Sequence, residues 1–455
     1  MSIAHLSAKL SKITWDIYDG NANSFHRLSR RELALDRAAL GALVLERLKA
    51  ILSFAFENSA HYREAFEAHG VHPSRLKSLD DIALFPELTR SHLLNGLEKV
   101  TVGGAERSGW VKSATGGTTS SPISYYRDKT CTLKRLSDTA CIDGWYGRVL
   151  GDRVAYLWGA PQDFAQAPSL GMRLRNLSYQ RTIMLPSAPL NDNVMVSHLE
   201  RLDAWRPSFL QAYPTPLYEF CKFLADKGRR LPYLAGVSVT AEALYRHQRE
   251  LIEEVLGLKV FNWYGSRELG RVASECECHE GLHLNEPSVH VEVVPDPALP
   301  EGCGHLVITD LWNRATPFIR YRTGDIARTL TGPCSCGRAL RRIAGIEGRL
   351  VDTIVLPGGR KVPGVSLTNR VIKECAEVAE LQVVQKSLDL FVLRYVKGPQ
   401  FHAGTLDALA ANLRGLLAAE VPIRFEEVSE LPRAKSGKVR FVISEISDEQ
   451  QTVAL

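Results

Sequence analysis

The sequence predicts an α/β protein with largely parallel strands, and three observations carry that expectation. Short apolar runs at 154–158, 209–212, 236–239 and 260–263 alternate with stretches of helical periodicity such as 217–227 and 243–256, the pattern of strands joined by helical crossovers. Residues 289–294 and 304–309 alternate in the manner of half-exposed strands, which predicts a smaller β-rich subdomain. A chain of 455 residues is too long for a single compact core, so two or more domains are expected.

The elements follow in order. Residues 30–70 carry helical periodicity with Leu43, Leu48, Ile51, Phe54 and Ala55 on one face, and 79–82 and 86–90 read as caps and turns. Past the alternating block, Gly345-Ile346-Glu347-Gly348-Arg349 is the predicted boundary. After it come a β-like stretch at 352–356, a Gly358-Gly359 turn, and helices near 366–377 and 404–419.

Composition narrows the function classes. The formal charge of +5 is mild, and basic and aromatic residues form no continuous stripe, so nucleic acid is not an expected partner. The start Met-Ser-Ile-Ala-His has no apolar core behind a basic segment, and no stretch of about eighteen apolar residues occurs. Neither membrane spanning nor export is expected, and a cytoplasmic location is. The nine cysteines lack the spacing of a disulfide framework, and Cys131, Cys141, Cys221, Cys303 and Cys375 are isolated, which fits reduced thiols.

The densest chemical signal is Ser113-Ala114-Thr115-Gly116-Gly117-Thr118-Thr119-Ser120-Ser121-Pro122. Glycines let backbone amides approach an anion and hydroxyls donate to phosphate oxygens, so the run reads as a phosphate loop. No lysine lies between Lys112 and Lys129, which argues against the Gly-Lys-Ser/Thr nucleotide loop. A flexible linker has a similar composition, and the downstream sequence separates the two.

Three more motifs follow: Tyr264-Gly265-Ser266-Arg267-Glu268 after an apolar run, the segment 309–325 ending Arg322-Thr323-Gly324-Asp325, and Pro432-Arg433-Ala434-Lys435-Ser436-Gly437-Lys438. In that order they resemble the core motifs of the adenylate-forming superfamily of acyl-CoA ligases, adenylation domains and luciferases, with the nearest likeness to its phenylacetate-CoA ligase branch. The resemblance runs from roughly residue 45 to residue 442. It implies a large N-terminal AMP-binding body, 1–347, with mainly parallel sheets and a β-rich subdomain, and a small mobile C-terminal α+β lid, 348–455.

The resemblance also implies ATP and Mg2+ as cofactors and assigns roles. Thr118 and Thr119 donate to the phosphates, with Gly116 and Gly117 permitting the tight backbone. Glu268 holds the magnesium, Tyr264 packs on the adenine, and Gly265, Ser266 and Arg267 complete that turn. Thr240-Ala241-Glu242 and Tyr213-Pro214-Thr215-Pro216 line the nucleotide and acyl pockets. Asp325 binds the ribose hydroxyls, Arg349 reaches the nucleotide, and Lys438 steadies the carboxylate and α-phosphate during adenylation only. Four positions depart from the family pattern. Ser120 and Ser121 replace a glycine and a mobile lysine, Arg267 stands where many relatives have threonine, and Val351 occupies the lid hinge usually held by a charged residue. Trp158 and Trp263 are either aromatic pocket walls or simply core.

Cys276-Glu277-Cys278-His279-Glu280-Gly281-Leu282-His283 and Cys334-Ser335-Cys336-Gly337-Arg338 supply the ligand types of a closed tetrahedral zinc site. The plain alternative is free thiols in two turns. A similar set in some members of the branch selects Cys276, His283, Cys334 and Cys336 as ligands of a structural Zn2+, with Cys278 or His279 as substitutes. The combined expectation is a ligase that activates a small carboxylic acid, aryl or otherwise cyclic, as its AMP ester and passes the acyl group to coenzyme A. Transfer to a carrier-protein phosphopantetheine or to an amine is the alternative within the superfamily, and a nucleotide-binding protein without turnover the alternative outside it. The sequence leaves the oligomeric state open, a homodimer included.

Overall fold

A computed structural model describes residues 22–104, 107–115, 122–149, 151–159, 176, 181–187, 190–349, 353–356, 360–363, 367, 377–398, 400–417, 420–429, 431–432 and 442–446. They fall into two compact units. One is drawn from Met1–Glu292, Val307–Thr323 and Leu330–Ala344, the other from Val293–Leu306, Gly324–Thr329 and Gly345–Leu455.

The first unit opens with helices α1 (Ala22–Glu32), α2 (Arg37–Asn58), α3 (Ala60–Ala68) and α4 (Arg90–Val100). Asp36 starts α2 by accepting from the Ala39 N–H at 2.8 Å, a cap that satisfies one of the orphan amides of the first turn. The buried face of α2 is Leu40, Val44, Leu48, Ile51, Leu52 and Ala55. The expected face was rotated from this one, since Leu43 and Phe54 are only half-buried. Most of the helix surface is apolar, so its periodicity does not single out one stripe. Thr89 caps α4 as expected, its N–H donating to His92 Nδ1 at 3.1 Å.

A hairpin of β1 (Val111–Ala114) and β2 (Ser124–Arg127) leads into α5 (Lys129–Asp143), capped by Asp128, which accepts from the Cys131 N–H at 2.8 Å. The α/β block follows: β3 (Val154–Leu157), β4 (Thr182–Leu185), α6 (Asp192–Trp205), β5 (Phe209–Ala212), α7 (Pro214–Asp226), β6 (Gly236–Thr240), α8 (Arg246–Leu256) and β7 (Val260–Ser266). Strands β4, β3, β5, β6 and β7 lie side by side and all run parallel. Every residue of β5 and β6 is buried, as expected of parallel strands covered on both faces. Leu210, Ala212, Leu217, Phe220, Val237 and Ile252 are among the residues of their shared core.

After β7 the chain turns back as β8 (Gly270–Ser274) and β9 (Leu282–Leu284), both antiparallel to their neighbours. The strands β10 (Val289–Pro295), β11 (Cys303–Asp310), β12 (Tyr321–Leu330) and β13 (Arg342–Arg349) confirm the predicted β-rich region and complete an eleven-stranded sheet. β13 joins β9 through Arg342↔His283 and Ile343↔Leu282.

In the second unit, β14 (Thr353–Val355) pairs with β15 (Lys361–Pro363), and β16 (Val378–Ser387), β17 (Leu390–Lys397), β18 (Ile423–Glu427) and β19 (Val442–Ser444) form a sheet in the order β18-β17-β16-β19. The helix expected near 404–419 is α9 (Thr405–Leu417), whose Leu409, Leu413 and Leu417 pack with Leu381, Val383, Phe391 and Leu393. Buried Gln385 uses its amide as a strand would, accepting from the Val355 N–H at 3.0 Å and donating to the Val355 carbonyl at 2.6 Å. The helix expected near 366–377 lies almost wholly outside the described residues, as does the Gly358-Gly359 turn. Among the described residues no helix is long and apolar enough to cross a membrane.

Candidate active site and metal centre

The C-terminal ends of β3, β5, β6 and β7 lie along one edge of the parallel block, the place where open α/β sheets bind ligands. Tyr264, Gly265 and Ser266 end β7, and Arg267 and Glu268 form the turn into β8. The register shifts between Tyr264 and Gly265, a bulge that re-aims the strand end. Gly265 is required there, because a Cβ would lie 2.2 Å from the Gly270 carbonyl oxygen. Ser266 Oγ accepts from the Leu269 N–H at 3.2 Å and closes the turn. Arg135, which no motif marks, also meets this turn, and Asp310 from the 309–325 segment pairs with it.

At the end of the neighbouring β6, Ala241 holds φ at +70°. A non-glycine residue in the left-handed region at a strand end is a strained feature of the kind that gathers at ligand sites. Glu242 Oε2 accepts from the Thr215 N–H at 3.1 Å, near the start of α7. That carboxylate therefore ties the end of β6 to the turn Tyr213-Pro214-Thr215-Pro216. Trp158, just past β3, lies 4.6 Å from Tyr213 and 6.5 Å from Trp263 between ring centroids, nearly parallel to the latter at 15°. The guanidinium of Arg271 sits 4.5 Å from the Trp263 ring.

The hairpin β1–β2 brings the two ends of the predicted phosphate loop together: Thr115 N–H donates to the Ile123 carbonyl at 2.9 Å, and Ile123 N–H to Thr115 Oγ1 at 3.0 Å. Gly116, Gly117, Thr118 and Thr119 lie outside the described residues, and so do Val351 and Lys438. In the second unit, Asp325 is buried on β12 directly after Gly324, whose φ is +82°. Arg349 ends β13, and its side chain falls outside the described part.

The cysteine and histidine cluster is assembled within the first unit. One ligand atom each from Cys276, His283, Cys334 and Cys336 lies within 4.8 Å of all the others. Cys276 Sγ is 3.6 Å from Cys334 Sγ, and Cys336 Sγ is 3.3 Å from His283 Nε2. A tetrahedral zinc with Zn–S near 2.3 Å and Zn–N near 2.0–2.1 Å implies S···S edges of about 3.8 Å and S···N edges of about 3.5 Å. The cluster therefore has the size of a zinc coordination shell, and its three-sulfur, one-nitrogen donor set is of a type that zinc accepts.

Burial pushes the His283 imidazole down to about 4, which keeps it in the neutral form a metal requires. Cys278 and His279 stand outside the group. His279, at φ +53°, is instead 3.1 Å from Glu275 through Nδ1.

Support for the four ligands comes from their neighbours in the two motifs and from Trp145, which the sequence did not mark. Arg338 pairs with both Glu277 oxygens at 2.8 and 2.9 Å and lies 4.5 Å over the Trp145 ring, which in turn meets His283 edge-on at 5.9 Å. Ser335 donates through N–H and Oγ to Glu280, and the Gly337 N–H bonds the Cys334 carbonyl at 3.0 Å with φ at +77°. Such outer contacts hold ligands in place before an ion arrives.

Residues 354–445 match the family model described as the CapK C-terminal domain. A phenylacetate-coenzyme A ligase of Aromatoleum evansii is 30% identical over 346 residues, covering 71% of this chain and 73% of that protein. The chain belongs to the phenylacetate-coenzyme A ligase family. A Pseudomonas putida ligase of the same name is 26% identical over 449 residues, 94% of this chain and 92% of its own. The solved 2-hydroxyisobutyryl-CoA ligase, in the postadenylation state with 2-HIB-AMP, superposes with a TM-score of 0.72 at 19% identity over 93% of both chains. The shared fold is that of the adenylate-forming superfamily, and membership of the ligase family makes this chain an AMP-forming acid–thiol ligase.

Proposed function

We propose that the chain converts an aryl or otherwise cyclic carboxylic acid to its acyl adenylate at the C-terminal edge of the parallel block and then passes the acyl group to coenzyme A. The observation that supports the cyclic substrate is the ring cluster of Trp158, Tyr213 and Trp263 beside the Tyr264–Glu268 turn. Flat apolar walls reward a flat apolar acid through area burial and ring contacts of about 0.5–1.5 kcal/mol per pair.

Adenylation brings one anion onto another, so the protein acts mainly by positioning and by stabilising charge that builds at the α-phosphorus. On this reading Thr118, Thr119, Gly116 and Gly117 cradle the phosphates, and Tyr264, Gly265, Ser266, Arg267, Ala241 and Glu242 frame the base. Asp325 and Arg349 hold the ribose side, and Lys438 meets the developing charge. Glu268 would hold the magnesium, which when bound neutralises phosphate oxygens. Residues 1–347 form the body and 348–455 the lid, with Val351 near its hinge. Cys276, His283, Cys334 and Cys336 would hold a structural zinc with no open coordination position, so no step of the reaction passes through it.

The test is product identification by mass spectrometry with ATP, magnesium, a panel of acids and each acceptor in turn. A coenzyme A thioester of aryl or cyclic acids is expected, with Trp158→Ala shifting preference away from them. A thioester formed only on a carrier protein, an amide formed only with an amine, or a preference for straight-chain acids would contradict it.

A further inference from the structure

We propose that Arg135, held by Asp310, is a positioning residue for Glu268, fixing the backbone on both sides of it and so the direction in which its carboxylate projects. The inference rests on Glu268 being the magnesium carboxylate. Arg135 lies on α5, and its guanidinium serves three acceptors together: Nη1 donates to the Arg267 carbonyl at 3.2 Å, and Nη2 to the Glu268 carbonyl at 2.5 Å and to Asp310 Oδ2 at 2.6 Å. The Arg267 carbonyl belongs to the peptide plane before the Glu268 Cα, and the Glu268 carbonyl to the plane after it. Anchoring both planes fixes the backbone angles at that Cα, and with them the Cα–Cβ bond.

The anchor is itself fixed. Asp310 is turned by its other oxygen, which accepts the Trp312 and Asn313 N–H groups at 2.8 and 3.2 Å. Both side chains are nearly inaccessible, at 10% and 3% exposure, where a charge-assisted hydrogen bond is worth most. Gly270 leaves room for the Arg135 stem. Its φ is +75°, and a Cβ there would stand 3.0 Å from Arg135 Cδ. Cys131 Sγ lies 3.9 Å from Asp310 Oδ2, and burial pushes that thiol far up, so the aspartate is the anion paired with Arg135 there. Pairing with Asp310 also keeps the arginine charge from competing with a cation for Glu268.

The test measures ATP–pyrophosphate exchange against free Mg2+ at saturating ATP and acid. Arg135→Met combined with Asp310→Asn removes the pair without stranding a buried charge. It is expected to raise the Mg2+ requirement about tenfold or more, while thioester formation from a pre-made acyl adenylate and the thermal midpoint stay near wild type. Arg135→Lys keeps the charge but not the fork, and an intermediate Mg2+ requirement is expected. Glu268→Gln should raise the requirement, and adding the Arg135/Asp310 changes to it should raise it no further.

A folded Arg135/Asp310 variant with wild-type Mg2+ dependence, or a further rise on top of Glu268→Gln, overturns the proposal. If that variant does not fold, Arg135→Lys decides, and a wild-type Mg2+ curve overturns the proposal. Unchanged Mg2+ dependence in Glu268→Gln overturns the underlying role of Glu268 as well.

Discussion

Two glycines flank the β7–β8 turn: a side chain at Gly265 would clash with the Gly270 carbonyl, and one at Gly270 would crowd the Arg135 stem. Gly265→Ala would push a methyl to 2.2 Å from the Gly270 carbonyl. We expect it to lower the thermal midpoint by several degrees, an overpacking cost of about 1–3 kcal/mol, and to cut pyrophosphate exchange at least tenfold; an alanine variant with wild-type exchange would show that the turn does not position chemistry. Lys438→Ala should slow adenylation by about a hundredfold to a thousandfold yet leave transfer from a pre-made adenylate nearly intact, and equal loss in both half-reactions would contradict its role. The Tyr264–Glu268 turn was legible in the sequence because its information is local: five consecutive residues carry both shape and chemistry. Arg135 was not, because its acceptors come from residues 267, 268 and 310, and an arginine on a helix reads as a solvated charge until the fold brings those carbonyls to it.

At the scale of elements, the two cysteine turns and the strands beside them behave as one unit. Cys334→Ser is expected to remove bound zinc and several degrees of thermal midpoint together, since a structural site adds its binding free energy to folding; full stability with no metal in the wild type would return the cluster to free thiols. Gly281→Ala should do the same indirectly, because at φ +88° its Cβ would meet Leu330 at 2.7 Å and the Ile343 carbonyl at 2.8 Å. The ligand types were readable from spacing, but the choice between Cys276 and its neighbours was not. Cys-x-Cys places two thiols within reach of one ion, and only the burial of Cys276 and the engagement of His279 with Glu275 decide between them.

A different element carries a pH dependence. Burial, aided by Arg341 and Arg320 and opposed by Glu286, pushes the β10 residue His290 down to about 4. Between about 4 and its ordinary value near 6.5 the unfolded chain binds more protons than the folded one, so stability is complete above 6.5 and is lost as the pH falls towards 4. The thermal midpoint should decline over that window, and His290→Gln should flatten the decline; an unchanged slope would place the loss elsewhere.

For the whole molecule, the order of strands and crossovers was legible because each parallel strand is a short, fully buried apolar run, and β5 and β6 show how little ambiguity such runs leave. The rotation of α2 was missed because an apolar helix carries no stripe to read. The tie between Gln385 and β14 was missed because a buried amide that stands in for a backbone partner has no sequence signature. Family membership and the ring-lined strand edge together define the central claim, that this chain forms acyl adenylates from cyclic acids. ATP–pyrophosphate exchange across aryl, alicyclic, straight-chain and amino acids, without any acceptor present, tests it most directly. Exchange that depends on magnesium and on a narrow group of aryl or cyclic acids is expected; exchange with straight-chain acids alone, or silence across the panel from folded protein, would contradict it.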